Sequence, residues 1–382
     1  MAEIDLVVLQ NKYEVFNYPL ARVMVGDDNI EEDKKTPLVV TDLVVQVTST
    51  FKASIAEFTL LQSYSQTSGE FYTKNLKKYI SMGTGITIYL GHGSSMTEVF
   101  RGFISGVDFA FDSSYPENSG IRITAMDIKG IMMANHYSKR LKANYYSDAV
   151  KEILNQQVYQ NLKNNKGITS IAITDTPDKP KGGGGGEKPD IRLEMVSESD
   201  YDFVVKAAKR FNYEFFSIGG NVAFRKAKAN TQELGKIVPH SAILNFDIGY
   251  DITGVVGQVV VRTLDIGKAS KVEVKKKNGN KFSLGSKAKP LISSQSYVYI
   301  DSSIESQKDA ENRAAYILEA SSYRLGTLKM TFKGIPELVP GRFITTKDFG
   351  DGVSNKFYIT DVTHEYNGLT YTTTIYGSAS TL

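Results

Sequence analysis

The 382-residue sequence contains no cysteine and no tryptophan, and it has only four histidines. Without cysteine, disulfides, zinc–thiolate sites and iron–sulfur clusters are excluded. The compartment stays open, because a particle assembled in a reducing cytoplasm and released later also needs no disulfides. The histidines lack the His-x-His or His-x-x-x-His spacing of a metal site; they are His92, His136, His240 and His364. We therefore predict no metal and no cofactor, and we expect His364 to make structural hydrogen bonds.

Long apolar runs and a secretory leader are also missing. No segment approaches the ~18 to 20 apolar residues of a membrane span. The first 15 residues lack the basic start and apolar core of a signal peptide. The formal net charge is only +3, from 45 basic and 42 acidic residues, without the clear excess of a general nucleic-acid binder. We expect a soluble protein with no membrane span and no specific nucleic-acid partner.

Sequence signatures of catalysis are absent as well. The glycine run 182–186 has no Gly-Lys-Ser/Thr and is flanked by prolines, so it is not a phosphate loop. The segment Gly91–Ser95 is not Gly-x-Ser-x-Gly and lies between two predicted strands, which indicates a polar hairpin. Carboxylates are numerous, and their spacing neither marks nor excludes a glycosidase pair. We assign no catalytic, cofactor-binding or metal residue and predict that the protein is not an enzyme.

One lysine-rich segment, residues 268–289, stands out on the predicted surface. It holds eight lysines and one acidic residue around a predicted hairpin. Nucleic acid or an acidic protein could bind there. A solvated hairpin is the simpler interpretation, because the segment has only one aromatic residue, Phe282, among its lysines for base stacking.

Strand-forming residues are what the sequence has in abundance, with 22 tyrosines and 19 phenylalanines. The length of 382 residues favours two to four domains. Strand composition marks residues 43–50 and 53–61. Near the end of the chain, residues 342–347, 356–366 and 369–376 form three further strand-like runs. Asn367-Gly368 between the last two predicts a tight hairpin with positive φ at both positions.

Three segments of the first 145 residues can be laid on this final stretch. Gly85–Ile88 matches Gly341–Ile344, and Phe103–Val107 matches Tyr358–Val362. Gly120–Thr124 matches Gly368–Thr372. The separation is 256 residues at Gly85/Gly341 and 255 at Val107/Val362. One β module is therefore predicted twice, with a core-facing middle strand in the first copy formed by Val99, Phe103, Val107, Phe109 and Phe111.

The region between the two copies changes to helical spacing. Ser147 is predicted to cap a helix with Val150, Ile153, Leu154 and Val158, and a strand follows at 168–174. Residues 175–189 are so rich in glycine and proline that we predict a flexible loop. Ser199 is predicted to cap a second helix, whose apolar stripe is Phe203, Val204, Ala207, Ala208 and Phe211. Later, Ser302-x-x-Glu305 predicts a capping box that opens a helix over 303–323.

These patterns predict a mostly β, α+β protein of three parts. The first β-barrel module spans 1–145, and a smaller α/β insert domain spans 146–236. The second β-barrel module spans 237–382.

The order Gly334-x-Pro336-x-Leu338-x-Pro340-Gly341, strand, glycine turn and Thr-rich strand resembles the end of the late control D proteins. These are baseplate hubs of contractile phage tails, related to the hub part of the secretion spike protein VgrG. The Ser-Asp-initiated helix and aromatic strand of residues 199–216 are similar to the same family. The resemblance covers the C-terminal 190 residues well and the first module more weakly.

The resemblance implies a structural hub in a contractile tail or injection system. Family members are homotrimers whose six barrels join a trimeric spike to the hexameric inner tube. The expected partners are two further copies, a separate spike protein, the tube protein and other baseplate proteins. Assembly would take place in the bacterial cytoplasm, into a phage tail, tailocin or injection particle. Two alternatives remain: a tail-associated peptidoglycan-degrading enzyme, and a module that binds carbohydrate or nucleic acid.

Overall fold

Alternating apolar and polar residues build most of the chain into β-strands. A computed structural model describes residues 4–32, 38–61, 64–71, 76–115, 119–179, 193–265, 270–279, 287–301, 304 and 306–381. It is 45% strand and 21% helix, as the mostly β prediction requires.

Thirteen strands form one continuous sheet. They are β1 (Pro19–Val25), β2 (Asp28–Asn29), β3 (Val39–Thr48), β4 (Ile55–Leu61), β7 (Gly85–His92), β8 (Ser95–Ala110), β9 (Gly120–Met126), β15 (Glu233–Ile237), β16 (Ile243–Tyr250), β20 (Gly326–Lys333), β21 (Phe343–Thr346), β22 (Lys356–Tyr366) and β23 (Tyr371–Ala379).

Smaller sheets and the helices are inserted between these strands. The remaining strands are β5 (Tyr64–Ser65), β6 (Glu70–Phe71), β10 (Tyr137–Arg140), β11 (Ser170–Ile173), β12 (Glu194–Glu198), β13 (Tyr213–Ile218), β14 (Asn221–Lys226), β17 (Gln258–Asp265), β18 (Ser270–Lys277) and β19 (Ser296–Ile300). The helices are α1 (Leu6–Lys12), α2 (Leu76–Tyr79), α3 (Ile128–Met132), α4 (Tyr146–Leu154), α5 (Gln157–Asn164), α6 (Asp200–Phe211), α7 (Ala288–Ser293) and α8 (Gln307–Ser322).

The main sheet contains the same strand order twice. The first module runs β3–β4–β9–β8–β7–β1, and the second runs β16–β20–β23–β22–β21–β15. Corresponding strands also follow one another in the same order along the chain. The modules differ at one end, where β1 is antiparallel to β7 but β15 is parallel to β21. The duplication therefore extends to six strands, three more than the sequence matches cover.

A shared β-bulge shows that the two copies are in the same register. Ser105 in β8 and Thr360 in β22 are each the extra residue of a bulge. The Ser105 hydroxyl donates to the Thr124 carbonyl at 3.1 Å, and the Thr360 hydroxyl donates to the Tyr376 carbonyl at 3.2 Å. The predicted match of Phe103–Val107 with Tyr358–Val362 therefore agrees with the structure. The match of Gly85 with Gly341 is two residues out of register, because Gly85 pairs with Phe103 whereas Phe343 pairs with Tyr358.

The third predicted match is displaced. Val107 pairs with Ile123 and Val362 pairs with Ile375, so Ile123 corresponds to Ile375. The match of Gly120 with Gly368 places the last strand four residues too early. Its cause is that the two glycines have different positions: Gly120 is the first residue of β9, whereas Gly368 lies in the turn before β23. A sequence match that keeps glycines aligned cannot register this difference.

The predicted core face of β8 is also only partly correct. Val99 and Val107 pack in the core of the first module, but Phe103 packs in the core of the insert domain. Phe109 and Phe111 are 56% and 43% exposed. The bulge is the physical reason for Phe103, because one extra residue reverses the alternation of side chains between the two faces. Phe109 follows the bulge and alternates in step with Val107, so its exposure has another cause.

The closing hairpin differs from the predicted two-residue primed turn. Only Gly368 has positive φ, at 89°, and Asn367 acts through its side chain. Its Oδ1 accepts hydrogen bonds from the backbone of Leu369 and Thr370. The loop is therefore four residues long, and Leu369 lies in it, 85% exposed, instead of beginning the last strand.

Two of the predicted helix starts need correction. Ser147 lies inside α4, whose N-cap is Tyr145, and its backbone nitrogen donates to the Thr176 hydroxyl. Val158 belongs to α5 and is 40% exposed. The capping box Ser302/Glu305 lies outside the described residues; α8 begins at Gln307 with Ser306 as its N-cap. The helix capped by Ser199 is confirmed, and Ser199 and Asp202 form a capping box.

The apolar cores are not divided along the chain as the predicted domains are. Residues of α1 and of the turn that follows pack in the second module's core, although they lie in the predicted first domain. Tyr371 of β23 packs in the first module's core. The boundaries 1–145, 146–236 and 237–382 stay predictions, since the two modules share core residues across them.

Tyr371 also explains the first glycine of the Gly-x-Pro-x-Leu-x-Pro-Gly motif. A Cβ at Gly334 would overlap the buried Tyr371 ring. We expect Gly334→Ala to lower the free energy of unfolding by about 1–3 kcal/mol, as for an overpacked core. Gly279→Ala is the matched control, because nothing lies within 4 Å of a Cβ there. Urea unfolding of the two variants and the wild type measures the difference, and equal midpoints would contradict this account.

Candidate assembly interface

Two strands from different modules join the halves of the chain. Residues 361–366 of β22 pair antiparallel with residues 43–48 of β3. On the core side, Val362 lies opposite Val47 and His364 lies opposite Val45. All four of these side chains are buried. The junction therefore combines backbone hydrogen bonds with a dry apolar interface.

His364 is the polar member of this interface. Its Nδ1 lies 2.9 Å from the Tyr371 hydroxyl and 3.1 Å from the Thr373 hydroxyl. Burial lowers the pKa of His364 to about 3, so the ring is neutral near neutral pH. The structural hydrogen bonding expected for His364 is confirmed.

His92 makes a second link between the modules. It ends β7 of the first module, and its Nε2 donates to the Gly334 carbonyl of the second at 2.9 Å. Its ring also stacks on Tyr371, with 5.3 Å between ring centroids. Burial lowers the pKa of His92, which favours the neutral ring that this packing needs. His92 lies on the polar hairpin predicted for Gly91–Ser95, and the hairpin is confirmed.

The N-terminal helix fastens the same junction from outside. Tyr13 is fully buried, and its hydroxyl donates to Glu337 at 2.5 Å and lies 3.2 Å from the Thr97 hydroxyl. Lys12 forms an ion pair with Glu337 at 2.6 Å. Burial, together with the Glu337 carboxylate, raises the pKa of Tyr13 to about 12. This segment therefore contacts Thr97 of the first module and Glu337 of the second at once.

Buried carboxylates hold the insert domain in place. Asp200 accepts hydrogen bonds from the Tyr159 hydroxyl at 2.6 Å and from Asn135 at 2.7 Å. Glu214 accepts from the Tyr358 hydroxyl and from Arg225, both at 2.6 Å, and so links the insert to β22. Sequence analysis did not single out either carboxylate. Glu214 alone has a local signal, as an acidic residue inside the aromatic run 213–216, whereas Asp200 lies among polar residues and has none.

The lysine-rich segment is partly neutralised. Glu273 lies between Lys271 and Lys275 on β18, with ion pairs of 2.8 and 3.1 Å, and also pairs with Arg262. These hydrogen bonds lower the pKa of Glu273 to about 2. β18 pairs with the preceding strand β17, and the other arm of the predicted hairpin lies outside the described residues.

The described residues contain neither a metal-binding cluster nor a membrane-spanning helix. Within those residues, no three His, Asp or Glu groups are placed to hold a metal ion. Over the same residues, no helix is both long enough and apolar enough to cross a bilayer.

Among the described residues, two strand edges have no neighbouring strand. β16 pairs only with β20, and residues 106–110 of β8 pair only with β9. Both edges carry exposed aromatic side chains: Phe109, Phe111 and, at 44% exposure, Phe246. An open strand edge with exposed apolar side chains can pair with a strand of another chain. They are the candidate assembly surfaces of this protein.

Solved structures share this fold across nearly the whole chain. The tail protein from Neisseria meningitidis MC58 superposes with a TM-score of 0.63 at 12% identity, covering 95% of this chain and 97% of that one. The 43 kDa tail protein of prophage MuSo2 from Shewanella oneidensis reaches 0.62 at 11% identity, covering 94% and 97%. The E. coli c3393 protein, a type VI secretion component similar to the T4 tail proteins gp27 and gp5, reaches 0.53 at 10% identity, covering 93% and 76%.

The fold is thus that of phage tail and secretion-system tail proteins, and at such low identity the likeness shows the fold alone. The chain belongs to the family described as the Alg8 N-terminal domain, whose model matches residues 31–368. No curated protein matches the sequence significantly. The resemblance to tail proteins is confirmed at the level of fold, and the narrower VgrG-like and late control D assignments stay predictions.

The neutral, buried His364 predicts a dependence of stability on pH. The unfolded chain takes up a proton at this histidine near its ordinary pKa of about 6.5, whereas the folded chain does so only at about 3. Stability is therefore lost as pH falls from about 6.5 towards 3, with a slope of about 1.4 kcal/mol per pH unit from this residue. His364→Asn should remove that part of the slope, as measured by urea unfolding at several pH values.

The exposed Val196, which carries no titratable group, offers the control, and Val196→Asn should keep the wild-type slope. Equal slopes for His364→Asn and the wild type would mean that His364 is not held neutral in the folded protein.

Proposed function

We propose that the protein is a structural hub subunit of a contractile tail or contractile injection system. In this role three copies form an adaptor between the central spike and the hexameric inner tube. The observation that carries the proposal is the duplicated six-strand module, joined within one chain by the pairing of β22 with β3. The shared fold with tail proteins supports it.

The duplicated module would allow a threefold assembly to contact a sixfold tube. A tube with six subunits per layer presents six equivalent contacts, whereas a threefold spike presents three. Three chains with two equivalent modules each supply six module surfaces and keep threefold symmetry elsewhere. The insert domain occurs once per chain, so a trimer would carry three of them, related by the threefold axis.

The partners in this proposal are two further copies, a separate spike protein, the tube protein and other baseplate proteins. Assembly takes place in the bacterial cytoplasm, and the complete particle is a phage tail, tailocin or injection particle. The role is non-enzymatic. No specific observation favours the alternative of a peptidoglycan-degrading enzyme.

The proposal is tested by light scattering of the purified chain, alone and mixed with the spike protein encoded beside it. We expect a complex containing three copies of this 42.2 kDa chain per spike trimer. A reconstruction of the assembled particle by electron microscopy should place the three copies on the axis between spike and tube.

A stable stoichiometry other than three, or a position away from the axis, would rule out the hub role. The enzyme alternative has its own measurement, the turbidity of purified cell walls after addition of the chain. We expect no loss of turbidity.

A further inference from the structure

The junction between β22 and β3 is made by one edge of each strand. Because the module is duplicated, each of these two edges has a counterpart in the other module. The shared bulge places residues 106–111 of the first module where residues 361–366 lie in the second. β16 pairs with β20 in the second module as β3 pairs with β4 in the first. These pairings make residues 246–251 of β16 and the turn after it equivalent to residues 43–48 of β3. The chain therefore carries a second copy of both halves of its own junction.

In the described residues this second pair of surfaces is open. Phe109 is 56% exposed, whereas its counterpart His364 is 1% exposed. Phe246 is 44% exposed, whereas its counterpart Leu43 is fully buried. The difference arises because each counterpart is covered by the other module. Among the described residues of a single chain, no second module covers Phe109 or Phe246 in this way.

We propose that residues 106–111 of one chain pair antiparallel with residues 246–251 of a second copy, in the register of the intrachain junction. This inference rests on the proposed hub function and names the strands that join its subunits. Val107 then lies opposite Tyr250, Phe109 opposite Ile248, and Phe111 opposite Phe246.

Aromatic packing suits this arrangement. Phe109 already packs on Phe71, with 5.7 Å between centroids, and Phe111 packs on Tyr64 at 5.2 Å. Phe246 packs on Phe349 at 5.4 Å. The pairing joins these two clusters across the subunit boundary and removes apolar side chains from water.

The charges on the outward face are also compatible. In this register Asp108 lies opposite Gly249, and Asp247 lies opposite Ala110, so no two like charges are directly opposed. Each carboxylate has a basic cross-strand neighbour in its own module, Arg122 for Asp108 and Lys329 for Asp247.

The contact is heterologous, since the two surfaces differ and both remain available on every chain. Such contacts build closed rings when the rotation closes. Around the ring, pairings between two modules of one chain would alternate with pairings between modules of neighbouring chains. Both kinds of pairing would have the same strand register. Each pairing would cover an edge strand that otherwise invites aggregation.

Engineered disulfides test the register directly, because the native chain has no cysteine. A chain carrying Ala110→Cys is mixed with a differently tagged chain carrying Asp247→Cys, oxidised, and analysed on non-reducing gels. Both sites are exposed, so the variants should fold. The matched control is Ala110→Cys with Asn245→Cys, which is two residues out of register and beyond disulfide reach.

The intrachain pair Glu365→Cys with Val44→Cys occupies the equivalent register position and should form a disulfide within one chain. It is therefore the positive control for oxidation. We expect about tenfold more mixed dimer from the in-register pair than from the out-of-register pair. Equal yields would overturn the proposed pairing.

Charge insertion gives a second, independent measurement. Phe111→Lys should abolish self-association in light scattering, whereas Val196→Lys, at a 69% exposed apolar residue of the insert domain, should not. If trimers form without the in-register cross-link, the pairing is wrong and the hub role stands. If the cross-link forms but no complex with the spike protein is found, the hub role is wrong and the pairing stands.

Discussion

The pairing of β22 with β3 is the contact on which the rest of the molecule depends. It merges two β modules into one thirteen-strand sheet, with six consecutive residue pairs across the boundary. His92 and the α1 segment add to it from the two sides, through Gly334 and Glu337. Each module also lends residues to the other's core. Neither half therefore has a complete apolar core without the other, and their relative position is set by packing.

Two polar networks complete this arrangement around the insert domain. Asp200 and Glu214 are buried carboxylates, and each accepts hydrogen bonds from a tyrosine hydroxyl and a nitrogen donor. Buried polar groups are costly unless they are paired, so such networks favour one orientation of the insert. Glu214 reaches Tyr358 of β22, which ties the insert to the strand that carries the junction.

A duplicated module allows one interface to serve twice. The bulges at Ser105 and Thr360 keep the two copies in the same register, although β1 and β15 run in opposite senses relative to their partners. Within one chain, one of the two equivalent pairings is formed, that of β22 with β3. Among the described residues, the equivalent edges on β8 and β16 stay open, and Phe109 and Phe246 on them are exposed. A trimeric hub would use them between chains.

The sequence by itself determined the mostly β class, the duplication, the helix capped by Ser199 and the structural role of His364. These depend on short-range patterns: alternation, capping residues and glycine spacing. Tertiary structure alone decided that Phe103 packs in the core of the insert domain, that α1 belongs to the second core, and that β22 pairs with β3. A bulge reverses alternation without a change in composition, and strands more than 300 residues apart pair through backbone groups that every residue carries. Such contacts leave no local signal, so only the folded chain reveals them.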